Sequence, residues 1–308
     1  MLIVNKAIAD IKYLHREEID SLRWDNCIQN AKNGLLYAKT FYLDAMAAHW
    51  SGLISGDYDA VMPLTWNKKF GFAYLYQPPF TPQLGMFYQN DSDISLTNLF
   101  LTQAKKHFRF CEIHLNYDNA IAEGRQLTNY MINLDKTYEE IRLGYKKRLL
   151  ENLREAESYS LHYGPGTNFR ETIQLFKKLY QHRLSHIREN DYEHFEKLCR
   201  ELVDRNLIFI RQVKDESGGL LNSSLFFLDD KRIYNIMSAS PQTGREKKAH
   251  FFLLDKLFME FSNRKLLFDF EGSEVPGIAE FYRKFGPVNQ PYSFLRYNNL
   301  PFPFRLFK

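Results

Sequence analysis

The sequence predicts an α/β protein in which one arrangement of mixed sheet and flanking helices occurs twice. Three observations carry that reading. The order strand, strand, charged turn, aromatic strand is found in SGLISGDYDAVMPLTWNKKFGFAYLYQPPFTPQLG and again in SGGLLNSSLFFLDDKRIYNIMSASPQTG, each copy closing on Pro-Gln-x-Gly. Each copy is followed by a helical pattern and then a strand, and helices precede both. At 308 residues and 44% hydrophobic content the chain can bury two ordinary cores. The halves divide near residue 140, giving expected domains at 1–140 and 141–308.

In the first half, residues 17–31 read as an amphipathic helix with Ile19, Leu22, Cys27 and Ile28 near one face, ended by Asn33-Gly34. Thr40 to Trp50 reads as a second helix, capped by Thr40 and closed by Ser51-Gly52. Leu53-Ile54 and Ala60 to Trp66 form a strand pair around Ser55-Gly56-Asp57, and Phe72 to Tyr76 is an aromatic strand. The proline-rich QPPFTPQLG that follows is irregular. A helix over 95–107 and a strand over 110–117 complete the half.

The second half opens on a helix from Tyr138 to Glu157 carrying Lys146, Lys147, Arg148 and Arg154. Its cations are either a solvated face, with Ile141, Leu149 and Leu153 inward, or an anion-binding rim. Tyr163-Gly164-Pro165-Gly166 is a break, and helices follow at 169–188 and 192–205. Strands at 208–213, 220–228 and 231–239 form an antiparallel meander. Ala249 to Asn263 is a helix, and Tyr292 to Tyr297 a last short strand.

The totals narrow the function. A net charge of +4 suits anionic small molecules and does not mark a dedicated nucleic-acid binder. Cys27, Cys111 and Cys199 are odd in number, widely spaced and without a CxxC pair, as expected of reduced thiols in a cytoplasmic protein. The first residues carry only a four-residue apolar start, so no signal-peptide core is expected, and no window has the length of a spanning helix.

The chemistry concentrates in Lys265 to Pro287, KLLFDFEGSEVPGIAEFYRKFGP. An apolar run gains acids at Asp269 and Glu271, breaks at Gly272 and Pro276-Gly277, resumes with helical spacing, and stops at Gly286-Pro287. With one residue between them, Asp269 and Glu271 are expected on the same side of a strand. Acids at a strand mouth facing a helix with Tyr282, Arg283 and Lys284 form either an acid/base site or a buried strand with solvated ends. Other constellations fail on spacing. His182 and His186 lie at i, i+4 but lack an HExxH context, so no metal site is expected. Cys111 and His114, three apart on a strand, face opposite sides. Neither a Walker A motif nor a GxSxG elbow occurs.

GDYDAVMPL, YKKRLLENLREAE, RIYNIMSAS, GREKKAHFFLLDKLF and FDFEGSEVPGIAEFYRKFG together resemble the FemAB-like branch of the GNAT acyltransferases, over nearly the whole chain. The resemblance implies tandem GNAT-like domains and transfer of an acyl or aminoacyl group to a small-molecule or precursor amine by direct attack. The donor it implies is acyl-CoA or aminoacyl-tRNA, nucleic acid entering only in the second case. It places a catalytic acid at Tyr282 and a base at Glu271 or Asp269, with Tyr234, Asn235 and Ser273 lining the acceptor groove. In CoA-using members an Arg/Gln-x-x-Gly-x-Gly/Ala loop holds the pyrophosphate on backbone N–H groups and a helix dipole. Arg245, Lys247, Lys248 and Ala249 fall on that loop, but Lys248 and His250 stand where small residues are expected. The helical hairpin by which some members would touch tRNA is missing. A duplicated fold without catalysis, binding a cell-envelope precursor or a protein, is the reading from another class.

Overall fold

The structure, a computed structural model, describes residues 11–89, 94–119, 121, 124–184 and 186–307. The apolar start on which the signal-peptide expectation rests lies outside them. Contacts group the chain into two units, one running to Leu127 and resuming at Pro291, the other Thr128–Gln290. The chain therefore changes unit at 127/128 and back at 290/291, whereas the sequence suggested one boundary at 140/141.

The first stretch contains β1 (Ile11–His15), α1 (Ser21–Asn30), α2 (Thr40–Met46), β2 (His49–Ser55), β3 (Ala60–Lys69), β4 (Phe72–Tyr76), β5 (Phe87–Tyr88), α3 (Ile94–His107), β6 (Phe110–His114) and β7 (Arg125–Leu127). The second unit begins with β8 (Tyr130–Asn133), α4 (Tyr138–Leu143), α5 (Lys147–Glu157), β9 (His162–Gly166), α6 (Phe169–Tyr180) and α7 (Glu189–Asp204). It continues through β10 (Ile208–Lys214), β11 (Leu220–Leu228), β12 (Arg232–Ala239), α8 (Gln242–Glu246) and α9 (Ala249–Phe261). β13 (Leu267–Asp269), α10 (Pro276–Arg283) and β14 (Val288–Asn289) close it, and β15 (Tyr292–Asn298) returns to the first unit.

The expected duplication is present in the topology. The first sheet runs β1-β2-β3-β4-β6-β15-β7 and the second β9-β10-β11-β12-β13-β8-β14. Pairing is antiparallel at every step except β4–β6 and β12–β13, the parallel step at the same place in each sheet. A helix spans each parallel step, α3 in one unit and α9 in the other, as a parallel connection requires. The sixth strands differ in origin: β8 opens the second unit directly after β7, whereas β15 reaches the first sheet only after the whole second unit.

Local chemistry explains the elements. Asp20 caps α1 by accepting from the N–H groups of Leu22 and Arg23, and Thr137 with Glu140 forms a capping box on α4. The first core gathers Leu53, Met62, Leu75, Phe100 and Ile113. The second gathers Leu149, Leu153, Phe226, Ile233, Leu257, Phe258 and Phe268 from sheet and helices. Among the described residues no helix is long and apolar enough to cross a membrane.

Several expected elements differ. The helix at 138–157 is two, α4 and α5, because Gly144 lies against Gly286 and the Lys146 N–H donates to the Lys284 carbonyl at 2.8 Å. Trp50 and Ser51-Gly52 belong to β2, and α2 stops at Met46; its N-cap is Lys39, while Thr40 bonds to Asp25. Tyr163 to Gly166 forms the edge strand β9 instead of a break, an edge being where glycine and proline are tolerated.

Candidate active site

The second unit contains a fork in its sheet. β12 and β13 run in parallel for three residue pairs, ending at Tyr234 opposite Asp269. β12 continues to Ala239, but β13 stops, because Glu271 and Gly272 both adopt left-handed backbone (φ 51° and 62°) and turn the chain away. Asn235 is the first β12 residue beyond the pairing. Its Nδ2 donates to the Phe270 carbonyl at 3.3 Å and to the Tyr282 hydroxyl oxygen at 3.2 Å, while its Oδ1 is buried without a hydrogen-bond partner among the described residues.

Tyr282 comes from α10, which starts with Pro276 and presents the phenol inward, its ring 4.5 Å from that of Phe270. Burial, and after it the charge of Glu271, holds the phenol well above its ordinary range, with the bond from Asn235 pulling the other way. The side chain therefore keeps its proton at neutral pH. Asn235, Glu271 and Tyr282 are thus brought together by the structure, all of them buried.

The other acid has a different environment. Asp269 accepts from Asn129 Nδ2 at 3.0 Å and from the Glu271 N–H at 3.1 Å through Oδ1, and pairs with Arg232 Nη1 at 2.6 Å through Oδ2. Arg232 in turn donates to Gln290 at 3.3 Å. Asp269 is a strut joining β12, β13 and the segment before β8. The expectation that Asp269 and Glu271 share one strand face is corrected: the strand ends at Asp269, and Glu271 belongs to the turn. Ser273 Oγ accepts from the Tyr130 N–H at 3.2 Å, which pins the same loop. Tyr234 donates to Asp229 at 2.7 Å. Adjacent on one strand, Tyr234 and Asn235 point to opposite faces of the sheet, so the structure does not bring Tyr234 to the phenol.

The residues expected on a phosphate loop are spread. Arg245 is exposed and donates to Gln242 at 3.0 Å; Lys247 lies 3.9 Å from Asp215, and Lys248 3.4 Å from Glu155. Lys248 is left-handed and precedes α9, which Ala249 opens as a buried residue. Gly244 packs on β11, where a Cβ would stand 1.8 Å from the Leu221 carbonyl oxygen. Its lack of a side chain serves helix–sheet packing at that point. His250, in the first turn of α9, stacks on Phe281 with ring centroids 4.7 Å apart and bonds Ser238 Oγ at 3.0 Å. Burial lowers its pKa to about 4, so the ring is neutral.

Two arrangements escaped the sequence reading. One is the Arg232–Asp269 pair, whose partners are far apart in the chain. The other is the polar chain from the buried Asn222 and Ser224 to the half-buried Ser238 and His250, linked by bonds of 2.6–3.0 Å. Its signal was partial: Asn222 and Ser224 are two apart on one face of β11, while the pairing of Ser224 with Ser238 depends on the strand register.

The first unit fills its own fork. β4 ends at Tyr76, and the segment after it lies along β6, with the Leu84 N–H donating to the His114 carbonyl at 2.9 Å. Gln77 accepts from the His114 N–H and Gln83 from the Tyr117 N–H, each at 3.0 Å. QPPFTPQLG therefore completes that sheet.

No family model matches this chain, and no curated protein matches it in sequence. Solved structures do. FemX is 13% identical with a TM-score of 0.61, covering 92% of this chain and 97% of its own. A conserved protein of unknown function from Bacteroides thetaiotaomicron VPI-5482 is 10% identical, with a TM-score of 0.59 over 93% and 98%. L-PGS from Bacillus licheniformis is 13% identical, with a TM-score of 0.51 over 94% and 95%. At these identities the likeness is one of fold, and that fold is the two-unit GNAT-like architecture expected from the resemblance.

Proposed function

We propose that the second unit is a transferase centre that passes an acyl or aminoacyl group to an amine by direct attack. The observation that carries this reading is the buried phenol of Tyr282 held by Asn235 where the parallel strands part, with Glu271 at the turn. The amine nitrogen forms a bond to the acyl carbon as the bond from that carbon to the leaving oxygen or sulfur breaks. Tyr282 gives its proton to the leaving atom, and Glu271 takes the surplus proton of the attacking nitrogen. Solvent then restores both groups. Asp269, fully engaged with Arg232 and Asn129, orients the loop and takes no proton.

FemX and L-PGS share the fold, which supports the reaction class and leaves the donor open. The engagement of Lys247 and Lys248 by carboxylates, and the use of Gly244 against Leu221, favour aminoacyl-tRNA over acyl-CoA. Three buried, unlinked cysteines support work in a reducing compartment such as the cytoplasm. His250 at a position expected to be small favours a second reading, a catalytically silent duplicate that binds an envelope precursor or a protein.

Calorimetric titration with acetyl-CoA, free CoA and a charged tRNA mixture separates these. The expected result is no heat with either CoA species at millimolar concentration and tRNA binding that weakens steeply with salt. Micromolar acetyl-CoA binding that Arg245→Ala weakens would reassign the donor. In a transfer assay Tyr282→Phe and Glu271→Gln should each lower turnover by about 10²-fold or more with the fold intact. Full activity in both would sink the site.

A further inference from the structure

We infer that Asn235 Oδ1 is a built acceptor for an N–H group of the bound substrate, an amine or an amide, at the fork between β12 and β13. The inference rests on the transferase reading only for its place in the reaction. The site itself stands on geometry.

The orientation of the Asn235 amide is dictated by chemistry. The Phe270 carbonyl can only accept, so the atom facing it must be Nδ2, and the same nitrogen reaches the Tyr282 oxygen. Oδ1 is then committed to the opposite direction. It is buried, on a residue 5% exposed, and no donor among the described residues reaches it. A buried carbonyl without a partner costs on the order of 1–3 kcal/mol, and native proteins rarely leave one without a purpose. Asn235 is also the first residue at which β12 has lost its parallel neighbour, so the acceptor lies where the parallel ladder ends.

The same amide links two functions. An N–H accepted at Oδ1 polarises the amide and strengthens the bond that Nδ2 gives to the phenol oxygen, since linked hydrogen bonds reinforce one another. The Tyr282 oxygen already accepts from Asn235, so its own proton is directed to another acceptor. The fork therefore offers one acceptor for nitrogen and one proton donor, joined through a single side chain. That pair is complementary to amide formation, in which an N–H bearing group arrives and a leaving atom needs a proton. Asn235 is the positioning residue between them.

The test uses ¹⁵N-labelled full-length protein titrated with propylammonium chloride and, separately, with N-methylacetamide. The Asn235 side-chain resonance is followed, assigned by its disappearance in Asn235→Leu. The expected result is a saturable shift with at least one probe and binding about tenfold or more weaker in the Leu variant. Preference for the ammonium probe identifies the acceptor amine as the source of the N–H; preference for the amide identifies the donor. No saturable shift with either probe, or equal binding by a folded Leu variant, overturns the inference. If Asn235→Leu fails to fold, Asn235→Ala takes its place, and the wild-type titration stands in either case. Transfer activity without N–H binding would reject the site and leave the transferase reading standing. Probe binding without any transfer would do the reverse.

Discussion

The site depends on residues held away from their ordinary protonation behaviour. His250 is the clearest. Its folded pKa of about 4 lies below the ordinary 6.5, so between those values the unfolded chain binds more protons than the folded one. Stability is therefore undiminished above pH 6.5 and falls as pH drops toward 4, by at most about 3 kcal/mol. Urea midpoints measured from pH 4 to 7 should show this slope, and His250→Gln should flatten it. Asp269 makes a contrasting case. Asp269→Leu strands the buried Arg232 charge and should cost about 3–5 kcal/mol in urea unfolding. Retained stability with activity lost would mean that Asp269 belongs to the chemistry after all. The sequence showed both acids, but not that one is a strut: Arg232 and Asn129 reach Asp269 from distant parts of the chain, and Gln290 reaches Arg232. Nor did it show the left-handed backbone of Glu271, a conformation ordinarily left to Gly or Asn.

At the scale of elements, β12, α9, β13 and α10 were legible because each is bounded by its own turn chemistry and built on a clear apolar period. The misread segments were those whose shape depends on a distant neighbour. The break between α4 and α5 depends on Gly286, and β9 exists because β10 is there to pair with it. Glycines separate local from distant causes. Gly277 in α10 has open space where a Cβ would go, so Gly277→Ala should stabilise by up to about 1 kcal/mol. Gly244→Ala would meet the Leu221 carbonyl, with backbone on both sides and nothing to yield, and should destabilise by about 1–3 kcal/mol. Chemical denaturation of the two variants checks both signs. Equal effects would mean that α8 does not lie against β11.

For the whole molecule, the repeat was readable as an order of elements, while the return of β15 to the first sheet was not. Nothing in Tyr292 to Tyr297 says which sheet it will join. The pairing of β15 with β6 and β7 gives a direct test. A chain ended after Gln290 should lose amide protection at Phe110–His114, where the partner strand is gone. Protection across β10 to β12 should persist, because that sheet is complete within Thr128–Gln290. Uniform loss of protection would show that the two units unfold as one.

The same return of β15 sets an order of events on the ribosome. β6 is made early, but its antiparallel partner emerges roughly 180 residues later. At bacterial or eukaryotic rates of synthesis that is a wait of about 10 to 40 s. During it, one edge of β6 lacks its partner, while the second unit has every strand it needs as soon as Asn289 leaves the exit tunnel. The part of the protein made first is thus the part finished last, and its open edge is where a nascent-chain chaperone would matter most.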